Sequence, residues 1–311
     1  MLENNLIKVG TRASALALRQ TEEVLEQLRP LNPGLDFQVV TVRTSGDINA
    51  SGSLPGMGLG VFVKEIEREL LDGTLDMAIH SLKDMPTLLP EGLSLGATLR
   101  RQDPRDVLVD RWHCPLDRLP QGARIGTSSP RRRAQLMNLC PQAEVLPIRG
   151  SVDTRLEKSK SNDYDGAILA AAGLIRLGLT GEISEYLSAQ DFVPPPGQGV
   201  LGVEIRVDDH RMQRLLEPVD HVETRYAATA ERAFLEALGG GCQVPVGAYA
   251  QSDGQSLALT VFLSSEDGQQ CFKANLRGKT HDPKQLASDA YLALVEAGGS
   301  ELLDQTHPNP D

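Results

Sequence analysis

The chain has 311 residues, a formal net charge of −11 at pH 7, and only 4% aromatic residues. This length can bury the cores of two or three domains, which aliphatic side chains must supply. The acidic balance argues against a nucleic-acid-binding protein, which would usually present a basic face. The first residues have no basic segment, and the longest apolar stretch, 167–175, is about half a membrane span. We therefore expect a soluble, cytoplasmic protein with no membrane or nucleic-acid partner. A monomer is expected as well.

The cationic residues are unevenly chosen, with 23 Arg and 8 Lys. Twelve of the Arg residues lie between Arg100 and Arg176. Arg binds a carboxylate or phosphate through a planar, bidentate fork that Lys lacks. An Arg-dense segment in an acidic protein indicates a local anion site, and the alternative is a solvated basic face.

Strand and helix patterns alternate from the N-terminus, which is typical of an α/β fold. The predicted strands cover 6–10, 37–42, 77–80, 106–109, 124–126, 145–148, 167–169 and 200–205. The predicted helices cover 14–29 and 61–71, begin at Pro130 and at Ser151, and cover 221–238. Two further strands, 257–262 and 271–276, and a helix from about Pro283 predict a small α+β unit. The Gly/Ser-rich stretch 45–60 predicts a mobile loop, and the tail from Thr306 is expected to be disordered.

Two pairs of similar segments indicate that the α/β unit occurs twice. The run Gly10-Thr11-Arg12-Ala13-Ser14 resembles Gly126-Thr127-Ser128-Ser129-Pro130, and Asp76-Met77-Ala78-Ile79 resembles Asp165-Gly166-Ala167-Ile168. They predict two similar domains with a cleft between them, joined by crossing segments at 100–104 and 194–199. Domain 1 would comprise 1–99 and 200–217, domain 2 would comprise 105–193, and domain 3 would comprise 222–311.

The junction after strand 124–126 has features of an anion site. Ser129 can cap a helix, Pro130 suits its first position, and three Arg residues follow at 131–133. Cations at a helix N-terminus oppose the helix dipole, so a bound anion would explain them. The alternative is a solvated basic turn.

Polar residues also follow the predicted buried strand 77–80, in the run Ser81-Leu82-Lys83-Asp84. Open α/β sheets bind ligands at this end of their strands. Asp84 could stabilise a developing cation or transfer a proton, with Lys83 keeping it ionised, or the two could form a simple surface pair. Arg149 and Arg155 flank a similar junction. His80 is expected to be a packing or hydrogen-bonding residue.

Cys242 follows Gly239-Gly240-Gly241 at the end of the helix predicted over 221–238. Gly239 is well placed as the residue that ends the helix, and the glycines leave the thiol with little steric cover. A thiolate in such a loop can be a nucleophile, whereas the alternative is a small residue packed under a turn. The chain has no CxxC pair, and no metal site is predicted. The Gly197–Gly202 run matches G-x-G-x-x-G, but prolines precede it and a predicted strand follows, which argues against a dinucleotide site.

Ten short blocks, in order over nearly the whole chain, together resemble the porphobilinogen deaminase family. They are Gly10–Ser14, Phe62–Glu65, His80–Pro86, Asp103–Asp106, Gly126–Arg132, Arg149-Gly150, Thr154–Leu156, Ala172–Gly178, Pro196–Gly199 and Gly240–Pro245.

The resemblance implies two domains built like a periplasmic binding protein, plus a third domain. It implies a dipyrromethane cofactor, made of two deaminated substrate units and bound to Cys242 through a thioether. The enzyme would add four porphobilinogen molecules, each losing ammonia, and hydrolysis would release 1-hydroxymethylbilane. Because porphobilinogen carries an acetate and a propionate, an Arg-lined cleft suits the growing chain.

The resemblance also implies a role for each matching residue. Asp84 would be the catalytic carboxylate. Cofactor binding would fall to Ser81, Lys83, Thr127, Ser128, Ser129, Arg131, Arg132 and Arg155. Substrate or growing-chain binding would fall to Arg12, Ser14, Gln20, Arg149 and Arg176. This chain departs from the family at Leu59, where Lys is common, and at Pro130 and Ser151.

Two other functions use the same features differently. A non-catalytic binding protein for an anionic metabolite would have the same Arg-rich cleft, but it needs neither Asp84 nor the Cys242 loop. A degenerate enzyme would no longer assemble its cofactor.

Overall fold

The computed structural model describes residues 5–43, 63–239 and 245–304. The chain divides into two compact units, a first unit of Met1–Gln102 with Val200–Arg225 and a second unit of Asp103–Gly199 with Tyr226–Asp311. The three predicted domain ranges stay predictions. Cys242, the 45–60 loop with Leu59, and the tail from Thr306 lie outside the described residues.

The strands are numbered in chain order. They are β1 (Leu6–Arg12), β2 (Asp36–Val42), β3 (Met77–Ser81), β4 (Leu93–Thr98), β5 (Asp106–Asp110), β6 (Arg124–Gly126), β7 (Glu144–Leu146), β8 (Gly166–Ala170), β9 (Glu185–Tyr186), β10 (Leu201–Arg206), β11 (Val246–Ser252), β12 (Ser256–Ser264) and β13 (Cys271–Lys279).

The helices are numbered in the same way over the described residues. They are α1 (Ala15–Leu31), α2 (Lys64–Leu71), α3 (Pro130–Leu139), α4 (Val152–Ser159), α5 (Ala171–Arg176), α6 (His210–Leu216), α7 (Val222–Ala237), α8 (Pro283–Leu294) and α9 (Ser300–Asp304). None of the described helices is long and apolar enough to cross a membrane.

Two five-stranded sheets have equivalent topology. The first unit contains the order β2-β1-β3-β10-β4, and the second contains β7-β6-β8-β5-β9. In each sheet the first three strands are parallel, and the fourth runs antiparallel to its neighbours. The predicted α/β class is confirmed, with two sheets of equivalent topology and a small C-terminal α+β part.

The two pairs of similar segments occupy equivalent places in these sheets. Gly10 pairs with Ala78, and Gly126 pairs with Ala167. Asp76 Oδ2 accepts a hydrogen bond from the Lys8 backbone N–H at 2.7 Å, just as Asp165 Oδ2 accepts one from the Arg124 N–H at 2.9 Å. The similar sequences therefore mark one structural unit that occurs twice.

The helices that follow β1 and β6 both begin with a side-chain cap. Ser14 Oγ accepts a hydrogen bond from the Ala17 N–H, and Ser129 Oγ accepts one from the Arg132 N–H. Each cap satisfies one of the unpaired N–H groups at a helix start, which stabilises the helix by about 1 kcal/mol. Each of these helices follows the carboxyl end of its strand, β1 or β6. Each cap therefore places the helix start at the carboxyl edge of its own sheet.

The C-terminal part contains the antiparallel sheet β11-β12-β13. Ala230 and Phe234 of α7, with Leu238 directly after it, are buried in its core, together with residues of α8. Gly239 follows with φ of +89°, a left-handed conformation that suits glycine at a helix end. Its predicted place as the residue that ends the helix is therefore confirmed. The strands β4, β9 and β11 are not predicted from the sequence.

A buried acidic cluster lies under the carboxyl end of β3. His80 Nε2 is 3.1 Å from Glu204 Oε2, with side-chain exposures of 2% and 0%. Glu67 is also buried, and its Oε1 has no hydrogen-bond partner among the described residues. Burial, reinforced by the charge of Glu204, raises the pKa of Glu67 to about 7. Glu67 therefore takes up a proton in the folded protein at a pH where the unfolded chain has lost it.

We expect the Glu67→Gln variant to lose part of the pH dependence of stability. Because the folded pKa of Glu67 is about 7 and its ordinary value is 4.5, the free energy of unfolding should fall as pH rises through that window. The loss is on the order of 3 kcal/mol at most. Thermal denaturation at pH 5 and at pH 8 should therefore show a smaller decrease for Glu67→Gln than for the parent protein. Equal decreases would contradict this account.

Candidate active site

The carboxyl edge of the first sheet carries three of the predicted site residues. Arg12 ends β1 and Ser81 ends β3, and both are half-buried. Because these two strands are parallel neighbours, their last residues lie at one edge. Ser14 lies at the same edge as the cap of α1.

Gln20 supports Ser81 from α1. Its Nε2 donates a hydrogen bond to Ser81 Oγ at 2.7 Å, and Gln20 is only 6% exposed. The predicted role of Gln20 in binding substrate stays a prediction. The observed bond assigns it a positioning role toward Ser81.

A 3₁₀ turn, Leu82–Asp84, follows β3 directly. Leu82 is buried, and its backbone N–H donates to the Val200 carbonyl at 3.0 Å, while the Met85 N–H donates to the Leu82 carbonyl at 3.2 Å. These contacts hold the turn at both ends. Lys83 and Asp84 are half-buried on it.

The Asp84 carboxylate has no hydrogen bond or ion pair with the part of the chain that the structure describes. No ion pair between Lys83 and Asp84 is observed among the described residues. A carboxylate can accept several hydrogen bonds. The Asp84 carboxylate is thus available to a ligand with N–H groups or to a developing positive charge.

The equivalent edge of the second sheet carries Thr127, Ser128 and Ser129. Thr127 is buried, and its Oγ1 accepts a hydrogen bond from the Ser129 N–H at 3.2 Å. The exposed Ser128 donates from Oγ to the Ile148 carbonyl at 2.8 Å. The three residues therefore form a compact turn directly before α3.

Arg131 and Arg132, in the first turn of α3, are buried and paired with Asp106. Arg131 Nη2 lies 2.8 Å from Asp106 Oδ2, and Arg132 Nη2 lies 2.7 Å from Asp106 Oδ1. Asp106 is fully buried. Burial alone would raise its pKa, but the two guanidinium groups outweigh burial and hold the pKa at about 2. Asp106 is therefore ionised throughout the neutral range.

This pairing changes the interpretation of the basic run at 131–133. The sequence predicts a docked anion at this helix start, and the protein itself supplies one anion there, Asp106. One carboxylate neutralises one of two buried guanidinium charges, so one positive charge remains at the start of α3. The direct role of Arg131 and Arg132 in binding cofactor stays a prediction.

Arg149 lies between β7 and α4, and Arg155 lies in the first turn of α4. Ser151 caps α4 by accepting a hydrogen bond from the Thr154 N–H at 3.3 Å. Arg155 Nε donates to the Gly150 carbonyl at 2.7 Å, and Arg149 is exposed. Ser151 therefore forms a normal side-chain cap of α4.

Arg176 ends α5 and is 8% exposed. Its Nη2 donates to the Gly199 carbonyl at 3.2 Å. The structure thus places Arg176 beside the predicted crossing segment 194–199. Its predicted contact with substrate stays a prediction.

Asp106 and Gln198 are site-related residues that were not predicted from the sequence. Gln198 Nε2 donates to Asp106 Oδ1 at 3.0 Å and to the Pro104 carbonyl at 2.8 Å. The available signal was an acidic residue at the first position of an apolar strand, in a segment rich in Arg. A buried carboxylate normally needs such cationic partners.

The described residues contain no group of three or more His, Cys, Asp or Glu side chains that could hold a metal ion. The cationic and hydroxyl side chains at the carboxyl edges of the sheets instead suit carboxylate ligands. The charge that Asp106 leaves uncompensated lies at a helix start, which itself favours an anion. These donors fit a dipyrromethane bearing acetate and propionate groups.

Two family models match the chain. The model described as "Porphobilinogen deaminase, dipyromethane cofactor binding domain" matches residues 7–214. The model described as "Porphobilinogen deaminase, C-terminal domain" matches residues 225–296. Together they cover most of the chain. The first range contains every predicted site residue except Cys242, and Cys242 lies in the second range.

Full-length relatives carry the same description. A porphobilinogen deaminase of Roseiflexus sp. (strain RS-1) is 47% identical over 95% of this chain and 97% of its own length. Those of Alkaliphilus metalliredigens and Syntrophobacter fumaroxidans are 46% and 41% identical, over 96% and 98% of this chain and 95% and 99% of their own lengths.

Proposed function

The chain belongs to the porphobilinogen deaminase family, and we infer from that membership that it is a transferase of tetrapyrrole biosynthesis. It condenses four porphobilinogen molecules into 1-hydroxymethylbilane on a dipyrromethane primer. In each addition the C–N bond of the porphobilinogen aminomethyl group breaks and ammonia leaves. The methylene carbon then forms a C–C bond with the free pyrrole carbon of the growing oligopyrrole, and that pyrrole carbon loses its proton. The alternative of a non-catalytic binding protein is not favoured.

Turnover with porphobilinogen tests this function. We expect one ammonia released for each porphobilinogen consumed, with a linear tetrapyrrole as the product. A binding protein would return porphobilinogen unchanged, with no ammonia.

We propose that Cys242 binds the cofactor covalently. When bound, the dipyrromethane supplies the pyrrole carbon to which the first substrate is joined. The residues at the carboxyl edges of the two sheets would hold its carboxylates and N–H groups: Ser81 and Lys83 in the first unit, and Thr127, Ser128, Ser129, Arg131, Arg132 and Arg155 in the second.

We propose Asp84 as the catalytic residue, and the absence of a side-chain partner for it among the described residues is the observation that supports this role most strongly. As an anion on a turn fixed by Leu82, it can stabilise the cation that the substrate becomes when ammonia leaves. It can also hold the proton that the pyrrole carbon gives up, because the carboxylate is available to accept it.

The remaining cations would bind substrate carboxylates. We propose Arg12, Arg149 and Arg176 for this role, with Ser14 and Gln20 in support. The number of carboxylates grows by two with each porphobilinogen added, so these contacts should matter more as the chain lengthens. We further propose that the enzyme acts as a monomer in the cytoplasm, with porphobilinogen and the growing chain as its partners.

We expect Arg149→Ala to impair elongation while leaving the fold intact. A lost bidentate contact to a desolvated carboxylate costs on the order of 2–4 kcal/mol. The measurement is turnover together with the distribution of chain-length intermediates on the enzyme. Arg133→Ala is the matched control, because Arg133 is also exposed and is not a proposed ligand. Normal turnover and a normal distribution in Arg149→Ala would remove Arg149 from the site.

Arg176→Ala is expected to impair elongation in the same way, with a loss of thermal stability in addition. The stability loss follows from its burial and its bond to the Gly199 carbonyl. A stability loss without any change in the intermediates would show that Arg176 is only structural.

A further inference from the structure

Asp106 organises the start of α3 more completely than a simple ion pair would. Its Oδ1 accepts from Arg132 Nε at 3.1 Å, from Arg132 Nη2 at 2.7 Å and from Gln198 Nε2 at 3.0 Å. Its Oδ2 accepts from Arg131 Nη2 at 2.8 Å. All four bonds belong to one carboxylate that is 0% exposed.

Backbone carbonyls complete the anchoring of both guanidinium groups. Arg131 Nη1 donates to the Val193 carbonyl at 2.7 Å, and Arg132 Nη1 donates to the Ile168 carbonyl at 2.8 Å. Each planar guanidinium is therefore held by bonds from at least two directions. Both side chains lose most of their rotational freedom, although Arg is usually among the most flexible residues.

The anchoring leaves donors and charge unused. A guanidinium carries five N–H donors, and the described residues accept two from Arg131 and three from Arg132. Asp106 neutralises one of the two positive charges. Donors and one positive charge thus remain at the start of α3 that the described residues do not use.

The repeated fold shows that a buried carboxylate is not required at this place. Asp106 pairs with Ala170 at the carboxyl end of β8, and in the first unit Leu201 pairs with Ser81 at the carboxyl end of β3. Leu201 is fully buried and apolar. The same sheet therefore forms with an apolar residue there, and the carboxylate serves the Arg-bearing turn of the second unit.

We propose that Asp106 is a positioning residue for the cofactor, because it fixes Arg131 and Arg132 in the orientation that binds the dipyrromethane carboxylates. The proposal rests on the proposed function of this site. Gln198 donates both to this carboxylate and to the Pro104 carbonyl. The two predicted crossing segments, 100–104 and 194–199, are therefore bonded to each other next to Asp106. Asp106 itself contacts no reacting atom in this account.

The test measures cofactor loading rather than activity alone. Apoprotein from cells that cannot make porphobilinogen is incubated with limiting porphobilinogen, and intact mass reports the fraction of folded chains that carry the covalent dipyrromethane. For Asp106→Asn we expect that fraction to fall by at least about tenfold, because misplacement of a binding group by an ångström can have such an effect.

Asp165→Asn is the matched control. Asp165 is 8% exposed, lies directly before β8 at the opposite edge of the same sheet, and also pairs with two Arg residues, Arg111 and Arg124. Its loss should lower thermal stability but leave cofactor loading within about twofold of the parent protein. Equal loading defects in Asp106→Asn and Asp165→Asn would show a purely structural effect and overturn the proposal.

A second variant covers the case in which Asp106→Asn does not fold. Asp106→Glu keeps the charge but moves the carboxylate by one methylene, so the protein should fold while both Arg side chains shift. Its loaded fraction should also decrease, and parent-like loading would overturn the proposal. A parent protein without covalent dipyrromethane would instead contradict the proposed function, so the two failures are distinguishable.

Discussion

Replacement of Asp84 by Asn is expected to lower turnover by at least ~10² while the fold stays unchanged, as for the loss of an acid–base or charge-stabilising group. The side chain is half-buried on a turn held at both ends, and it has no partner within the described structure. Asn keeps the size and can still accept a hydrogen bond from a pyrrole N–H. It cannot stabilise a developing cation or hold a proton at neutral pH.

The measurement is turnover at saturating porphobilinogen on protein whose cofactor content has been verified by mass. Asp72→Asn is the control, because Asp72 is an exposed carboxylate beyond the end of α2, in a 3.7 Å pair with Arg68. It should turn over within about twofold of the parent, since exposed pairs contribute little. Turnover of fully loaded Asp84→Asn within a few-fold of the parent would show that another carboxylate performs this role.

Cys242→Ser is expected to abolish both the covalent cofactor and turnover. The thiolate is the nucleophile that forms a thioether, and a serine hydroxyl is far less ionised at neutral pH. Cys271→Ser is the matched control, because Cys271 is an exposed thiol of the described chain. It should load cofactor as the parent does. Persistence of the added mass in Cys242→Ser, or its loss in Cys271→Ser, would contradict the assignment.

The repeated α/β unit could be predicted because its signals are local in the sequence. A strand, a Gly-Thr turn and a capped helix recur at Gly10 and Gly126, and an Asp before a buried strand recurs at Asp76 and Asp165. Each signal depends on a few neighbouring residues. The strand β4 was missed because Gly96 interrupts the alternation that begins at Leu93, and glycine inside a strand normally argues against one.

The environment of the Arg-rich turn could not be predicted, because it depends on the order of strands in the sheet. Asp106 reaches Arg131 and Arg132 because β5 lies antiparallel beside β8. The first residue of β5, Asp106, therefore lies at the carboxyl end of β8. No local pattern specifies that neighbour. The Arg residues could be named from the sequence, but their partner within the protein was not predicted.

The mass of the intact purified protein tests the central claim most directly. After expression with porphobilinogen available, the chain should be heavier than its 311-residue sequence by two deaminated porphobilinogen units, and a pyrrole colour reaction should accompany the added mass. Incubation with substrate should then add further units of the same size. A mass equal to that of the bare chain, with no colour reaction, would contradict an active deaminase.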